Sequence, residues 1–297
     1  MPESESPDRY GPFETRPLSD VLGVEILGIG MDEAIRPEIF PHIYQAFLDH
    51  QAIVFRNVDL PPETQVAFAR CFGDVEIHVL DQYHEPDHPE IYLLTNLDAE
   101  GKPVAMHPDP GSMHWHTDLS WRPHTGLATM MYAIEVPAEG GETHLCDMYG
   151  AYDSLSEDWI SRLKGMKVIH NLDFSRTRRQ DWDLMTDEQR AKAPPSTHPI
   201  LRTHPETGRR VTFLGDHAEC IEGMDYDEGR KLVEEINVLI TPDKLVYRHR
   251  WTPRDLIVWD NRCTMHRATG YDTAKERRMM RRCTINGNAT YEAVPAA

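Results

Sequence analysis

From about residue 90 onward the chain is cut into short apolar runs bounded by Gly, Pro, Asn, Asp or Ser. They fall at 90–95, 126–136, 143–147, 166–170, 199–203, 210–214, 244–251, 256–259 and 278–286. Most are too short for a helix of useful length, and they read as β-strands. Val21–Ile29 and Ala52–Arg56 add two more, and Pro205-Glu-Thr-Gly208 supplies a hairpin turn. Many short strands with irregular connections predict a sandwich or jelly roll.

Helices decorate this frame. Ile39, Phe40, Ile43, Tyr44, Phe47 and Leu48 recur at helical spacing over 38–49. Asp59 is expected to cap a helix that starts at Pro61-Pro62, buries Val66, Ala69 and Phe72, and stops at Gly73. Two more helices are expected, from Ser156 to Gly165 and over 225–240. The fold class is therefore mainly β with flanking helices. No Gly-rich phosphate loop occurs, which argues against a nucleotide-binding α/β fold.

With 297 residues the chain suits one domain of this class and needs no disulfide to hold it. Residues 1–16 start polar and acidic and read as a flexible N-terminus; 17–297 form the single domain. Within it, residues 171–197 are a polar insertion and a candidate lid. Arg176, Arg178 and Arg179 on it face either an anionic substrate or solvent.

A net charge of −18 argues against a nucleic-acid partner. No apolar run approaches the ~18 residues of a membrane span. The N-terminus lacks the apolar core of a secretion signal. Five cysteines at wide spacing, with no CxxC, fit free thiols in a reducing compartment. Together these predict a cytoplasmic protein.

The chemistry concentrates at Trp115-His-Thr-Asp118. Two residues apart on a strand, His116 and Asp118 would face one point with an imidazole and a carboxylate. A third ligand from a distant strand would complete a triad of two histidines and one carboxylate. Such a triad leaves adjacent positions open on an octahedral metal. His266, 150 residues later, is the best candidate. Among 16 histidines a lone His-x-Asp carries little weight, so the surrounding residues must decide.

Those residues are basic. Arg277, Arg278, Arg281 and Arg282 follow on the last strand, where one pair spaced by four faces inward and the other outward. An arginine inside a β-barrel needs an anion, and its planar fork suits a carboxylate. The pattern leaves open which pair is inside, and whether this is simply a solvated basic edge.

Four segments together resemble one family. They are Trp115-His-Thr-Asp118, Gly140-Gly-Glu-Thr143, Val258-Trp-Asp-Asn261 with His266, and Arg278-Met-Met-Arg-Arg-Cys-Thr284. Residues 20–288 are similar to the taurine dioxygenase and 2,4-dichlorophenoxyacetate dioxygenase family. Thr203–Arg209 and Leu245–Trp251 lean toward the phenoxyacetate branch. The resemblance implies a double-stranded β-helix (jelly roll). It implies iron(II) on His116, Asp118 and His266, with 2-oxoglutarate and O2 as cosubstrates. The far carboxylate of 2-oxoglutarate would meet Arg278 and the Thr143 hydroxyl. Arg282 and His78 would face the acidic group of a small anionic substrate, an aryloxyalkanoate-like carboxylate or an alkyl sulfonate. Placing Arg278 and Arg282 inside rests on alignment at Cys283-Thr284. With Asp118 present, the implied outcome is hydroxylation rather than halogenation, with release of succinate and CO2 and, where the carbon bears oxygen or sulfur, bond cleavage. A homodimer or homotetramer is implied as well. Ser112 and Asp81 replace an asparagine and a tyrosine of taurine dioxygenase, which points away from taurine. The competing enzyme class is a metal-dependent jelly-roll hydrolase or isomerase, which would have no use for Arg278 and Thr143.

Overall fold

A computed structural model describes residues 9–107, 110–178 and 184–291. In chain order its first elements are β1 (Glu14–Pro17), β2 (Val24–Leu27), α1 (Met31–Ala34), α2 (Phe40–His50), β3 (Ala52–Phe55) and α3 (Pro62–Phe72). Then come β4 (His84–Glu85), β5 (His88–Thr95), β6 (Ala128–Glu135), β7 (Thr143–Asp147), α4 (Met148–Asp153) and α5 (Glu157–Leu163). Next are β8 (Lys167–His170), α6 (Leu172–Thr177), α7 (Asp187–Lys192), β9 (Ser196–Pro199), β10 (Leu201–Thr203), β11 (Arg210–Thr212) and β12 (Ala218–Ile221). The chain closes with α8 (Tyr226–Ile240), β13 (Val246–His249), β14 (Leu256–Asp260), β15 (Thr264–Ala268) and β16 (Met279–Ile285).

Eight strands form the main sheet, in the order β1-β2-β3-β14-β6-β16-β5-β4. All its pairs are antiparallel except β2 with β3. A second sheet, β13-β7-β15, is antiparallel throughout. Strand alternation explains the layering. On β14, Leu256 and Val258 point to one side, into a core shared with Ile43, Phe47, Phe68 and Phe72 of α2 and α3. Ile257 and Trp259 point to the other, where they meet Leu145 of β7 and Tyr247 of β13. That second interior lies between the two sheets. A third core packs Cys146 of β7 and Met265 of β15 against Val233, Ile236 and Ile240 of α8. Strands buried on both faces read as unbroken apolar runs, as Leu256-Ile-Val-Trp259 does.

Two expectations need correction. Residues 14–16 belong to strand β1, and Tyr10 and Phe13 are buried with rings stacked at 6.1 Å, so the flexible assignment fails for 9–16. That aromatic pair supplies apolar surface that the acidic start obscured. Residues 1–8 of that expected segment lie outside the described residues. The α3 helix is capped by Pro61 with no side-chain hydrogen bond, so Asp59 is no cap. The polar stretch 171–197 contains α6 and α7 and the start of β9; its residues 179–183, Arg179 included, lie outside the described residues. No helix among the described residues is long and apolar enough to cross a membrane.

Candidate metal centre and its two cavities

His266 sits on β15, at the centre of the second sheet's edge. His116 reaches it by an isolated antiparallel bridge: His116 N–H donates to His266 O at 3.0 Å, and His266 N–H to His116 O at 2.8 Å. The two rings lie 4.1 Å apart. The strand expected under His116 and Asp118 is reduced to the His116 bridge; from Asp118 the chain turns, and Leu119 takes φ +55°. The bridge to His266 and the turn just past Asp118 fix where these two side chains meet. Close packing permits this only with a glycine nearby: Gly215, at φ +121°, would put a Cβ 3.0 Å from His116 Cα.

One ligand atom from each of His116, Asp118 and His266 lies within 4.8 Å of the others, and all three residues are buried. His116 Nε2 is 3.7 Å from Asp118 Oδ1, and His266 Nε2 is 3.8 Å from Asp118 Oδ2. One ion with ligand bonds of about 2.1 Å spans such gaps. His116 Nδ1 lies 2.8 Å from His114 O, and a carbonyl only accepts, so Nδ1 carries the proton. Its Nε2 lone pair is thereby aimed at the centre. Burial, and next the His116 ring, push His266 well below its usual range and keep it neutral. Burial would raise the Asp118 carboxyl, but Arg282, the two imidazoles and the Thr129 hydroxyl together hold it below the usual carboxylate range. Two imidazoles and a carboxylate are a fitting donor set for a divalent transition metal.

A buried chain of hydrogen bonds orients the carboxylate. Thr129 Oγ1 donates to Asp118 Oδ2 at 2.6 Å, Asn261 Nδ2 donates to Thr129 Oγ1 at 2.8 Å, and Trp259 Nε1 donates to Asn261 Oδ1 at 3.1 Å. Residue types alone gave no hint of Thr129. Asn261 sat inside a quoted motif but without a role.

Two cavities open beside the triad. The smaller, about 370 Å³, is lined by Thr143, Arg278, Arg282, His116 and His266, with Leu94 and Met131 as apolar walls. The larger, about 580 Å³, is lined by His78, Arg282, Tyr92, Trp121, Leu172 and Arg176, besides His116 and Asp118. The cavity walls separate the four arginines at and just before β16. Arg278 and Arg282 are buried toward the cavities. Arg277 is exposed and paired with Glu135, while Arg281 lies on the opposite face over the Tyr132 ring. Asn96 fixes the approach to β16: its side chain accepts from Arg278 N–H at 2.8 Å and donates to Thr273 O and Glu276 O. Arg282 lies 3.6 Å from Asp118 Oδ1 and 4.6 Å from the Tyr92 ring centre.

His78 accepts from Leu80 N–H through Nδ1 at 3.2 Å, so its Nε2 carries the proton. Burial, then Arg282, lowers it to about 3, and it stands as a neutral donor. Ser112 borders both cavities, whereas Asp81 is exposed and lines neither. Of the insertion's arginines, Arg176 is buried against the larger cavity and Arg178 is exposed. His217 of the same cavity wall, 2.9 Å from Ser120 Oγ, had no signal in the sequence. A second buried group, His204, Asp260 and Cys263, is committed elsewhere. Both Asp260 oxygens accept from Arg262, and one also meets His204 Nε2 at 3.1 Å. That cluster braces the β14–β15 turn and leaves no carboxylate oxygen for an ion.

Comparison with known proteins follows the same lines. A family model described as taurine catabolism dioxygenase TauD, TfdA family matches residues 14–284. An alpha-ketoglutarate-dependent 2,4-dichlorophenoxyacetate dioxygenase of Cupriavidus pinatubonensis is 34% identical over 279 residues, 91% of this chain and 96% of the relative. An (S)-phenoxypropionate/alpha-ketoglutarate-dioxygenase of Sphingobium herbicidovorans is 29% identical over 272 residues, 90% of this chain and 93% of the relative. The crystal structure of AAD-2 in complex with Mn(II) and N-oxalylglycine superposes with a TM-score of 0.82 at 31% identity, covering 93% of this chain and 99% of that one.

Proposed function

Since the chain belongs to the TauD, TfdA dioxygenase family, we propose that His116, Asp118 and His266 hold its iron and that the two cavities divide cosubstrate from substrate. The protein is an Fe(II)/2-oxoglutarate-dependent dioxygenase. Its mainly β frame with two facing sheets is, in this reading, the family's double-stranded β-helix. The observation that carries the assignment is the triad's position between a cavity holding Thr143 and Arg278 and one holding His78, with Arg282 on the wall of both.

When bound, the iron with 2-oxoglutarate and O2 supplies the oxidising chemistry that hydroxylates a C–H bond and releases succinate and CO2. The residues do the positioning. Arg278 offers its fork to the distal carboxylate of 2-oxoglutarate, and Thr143 adds a hydroxyl. Arg282 and the His78 Nε2–H hold an acidic group of the substrate. Leu80, Tyr92, Leu119, Trp121 and Leu172 receive a planar apolar body. Asp118 keeps its coordination position, which favours hydroxylation over halogenation.

The substrate class supported best is an aryloxyalkanoate-like carboxylate; an alkyl sulfonate meets the same arginine fork. Hydroxylation of the carbon bearing the ether oxygen gives a hemiacetal or hemiketal, which collapses to a phenol and an aldehyde or keto acid. The α6 segment of the insertion, with Leu172 and Arg176 against the larger cavity, acts as a lid in this reading. Residence in the cytoplasm is supported by five unpaired thiols. A homodimer or homotetramer belongs to the same proposal and is checked by light scattering. The test of function is succinate release from 2-oxoglutarate across a panel of phenoxyalkanoates and alkyl sulfonates. Stimulation by phenoxyalkanoates, abolished in His116→Ala, is expected; stimulation by neither class would refute the substrate assignment.

A further inference from the structure

The direction of one hydrogen bond at the end of the smaller cavity assigns a residue to cosubstrate recognition. Thr143 is buried at the start of β7, and a hydroxyl has one proton and two lone pairs to place. Its Oγ1 lies 3.0 Å from Trp251 Nε1. An indole N–H can only donate, so Trp251 is the donor and Thr143 the acceptor. Among the described residues this is the one hydrogen bond of the Thr143 hydroxyl, whose own proton is left to donate. A carboxylate can only accept. The polarity of the pair therefore matches an anion in the cavity, beside Arg278.

The indole is held in place to do this. His249 is the register partner of Thr143 across β13 and β7, so the chain delivers Trp251 next to the threonine. The His249 ring meets the Trp251 ring edge-on, at 4.5 Å and 82°. His249 is itself fully buried, with Nδ1 2.9 Å from the Tyr247 hydroxyl. Behind it Asp255, paired with Arg56, lies 3.7 Å from His249 Nε2. Trp251 packs on the interior between the two sheets. Swinging the indole away would break that packing.

We propose that Trp251 is a positioning residue for 2-oxoglutarate: by donating to Thr143 Oγ1 it turns the threonine proton into the cavity, toward the distal carboxylate. This rests on the reading of the smaller cavity as the cosubstrate site. The test compares Trp251→Phe, Thr143→Val and the double variant by equilibrium binding of 2-oxoglutarate to the Fe(II) protein without oxygen. Each single change is expected to weaken binding about threefold to tenfold, the range of one hydrogen bond. Because Trp251 acts through Thr143, the double variant should be no weaker than Thr143→Val alone. The KM for the primary substrate should stay put in Trp251→Phe. Multiplied losses in the double variant would mean a packing role and overturn the proposal. Normal loss in Thr143→Val with none in Trp251→Phe would overturn it while leaving the cosubstrate reading intact. No loss in Thr143→Val would sink both. Should Trp251→Phe fail to fold, the indole N–H resonance of Trp251 in the ¹⁵N-labelled, Zn(II)-loaded protein answers instead. Saturating 2-oxoglutarate should move it in the natural protein and not in Thr143→Val; a resonance unmoved in the natural protein would overturn the proposal.

Discussion

Replacing Thr129 by valine tests how much of the metal centre is set from behind. The substitution keeps the shape and removes the hydroxyl that donates to Asp118 Oδ2 at 2.6 Å. Two separate costs follow. The first is a hydrogen bond to a charged acceptor, worth about 1.5–3 kcal/mol. Its loss frees the carboxylate to rotate off the line to the metal, and changes of this kind lower metal affinity about 10- to 100-fold. The second is the stranded Asn261 Nδ2, which now donates to Thr129 Oγ1 at 2.8 Å within a fully buried site. An orphaned buried donor costs about 1–3 kcal/mol, and this falls on folding whether or not metal is present. Competition against a chelator, with Fe(II) under nitrogen or Mn(II) in air, measures the first cost. The shift in the metal-free melting temperature measures the second. Thr129→Ser keeps the hydroxyl and should recover most of the metal affinity. A Thr129→Val protein that melts earlier but binds metal within twofold of the natural one would show the network to be structural only, and the argument would be wrong.

Arg278→Ala should raise the 2-oxoglutarate KM by about 10- to 100-fold, the loss of a charge-assisted contact, while Arg277→Ala, which removes an exposed pair with Glu135, changes it less than twofold. Steady-state assays decide, and the opposite pattern would reverse the inside and outside of β16. Acid should destabilise the fold well before carboxylates titrate. Burial, then Arg202, lowers His198 to about 4, and burial, then Arg56, lowers His249 to about 3. Both stay neutral in the fold while the unfolded chain takes up their protons near pH 6.5. Stability is therefore full above that pH and falls as pH drops from 6.5 toward 4, at up to about 1.4 kcal/mol per unit for each group. Urea melts between pH 7 and 5 check this, and a flat profile would contradict it. Phe47→Ala, in the core against α3, should cost about 3–5 kcal/mol of stability and leave metal affinity unchanged. Chemical unfolding and chelator competition on one sample separate the two effects.

What the sequence could reveal depended on whether a feature was local. The arginine pairs on β16 were readable because strand alternation is a property of the segment itself. Only the choice of pair needed the resemblance; Arg281 is buried as well, and it is lining the cavities that sets Arg278 and Arg282 apart. The apolar run 256–259 gave a strand buried on both faces for the same reason. The strand expected under His116 and Asp118 failed because the chain leaves extended geometry at Leu119, a left-handed turn with no glycine to announce it. Residues that act through long-range contacts left no mark. Asn96 reaches 182 residues ahead to fasten Arg278, and Thr129 is an ordinary strand former whose partner, Asp118, lies across a loop. Trp251 stood inside a quoted segment, yet its importance comes from β13 lying against β7, which no local pattern encodes.

In the proposed function one iron, held by His116, Asp118 and His266, receives 2-oxoglutarate from the cavity of Thr143 and Arg278. Anaerobic titration of the Fe(II) protein with 2-oxoglutarate, followed by visible absorption, tests it most directly. A weak charge-transfer band should grow to saturation in the natural protein, vanish in His116→Ala and Asp118→Ala, and need far more 2-oxoglutarate in Arg278→Ala. Folded, iron-loaded protein that develops no band, or an Asp118→Ala protein that develops it unchanged, would rule out this site for iron and 2-oxoglutarate.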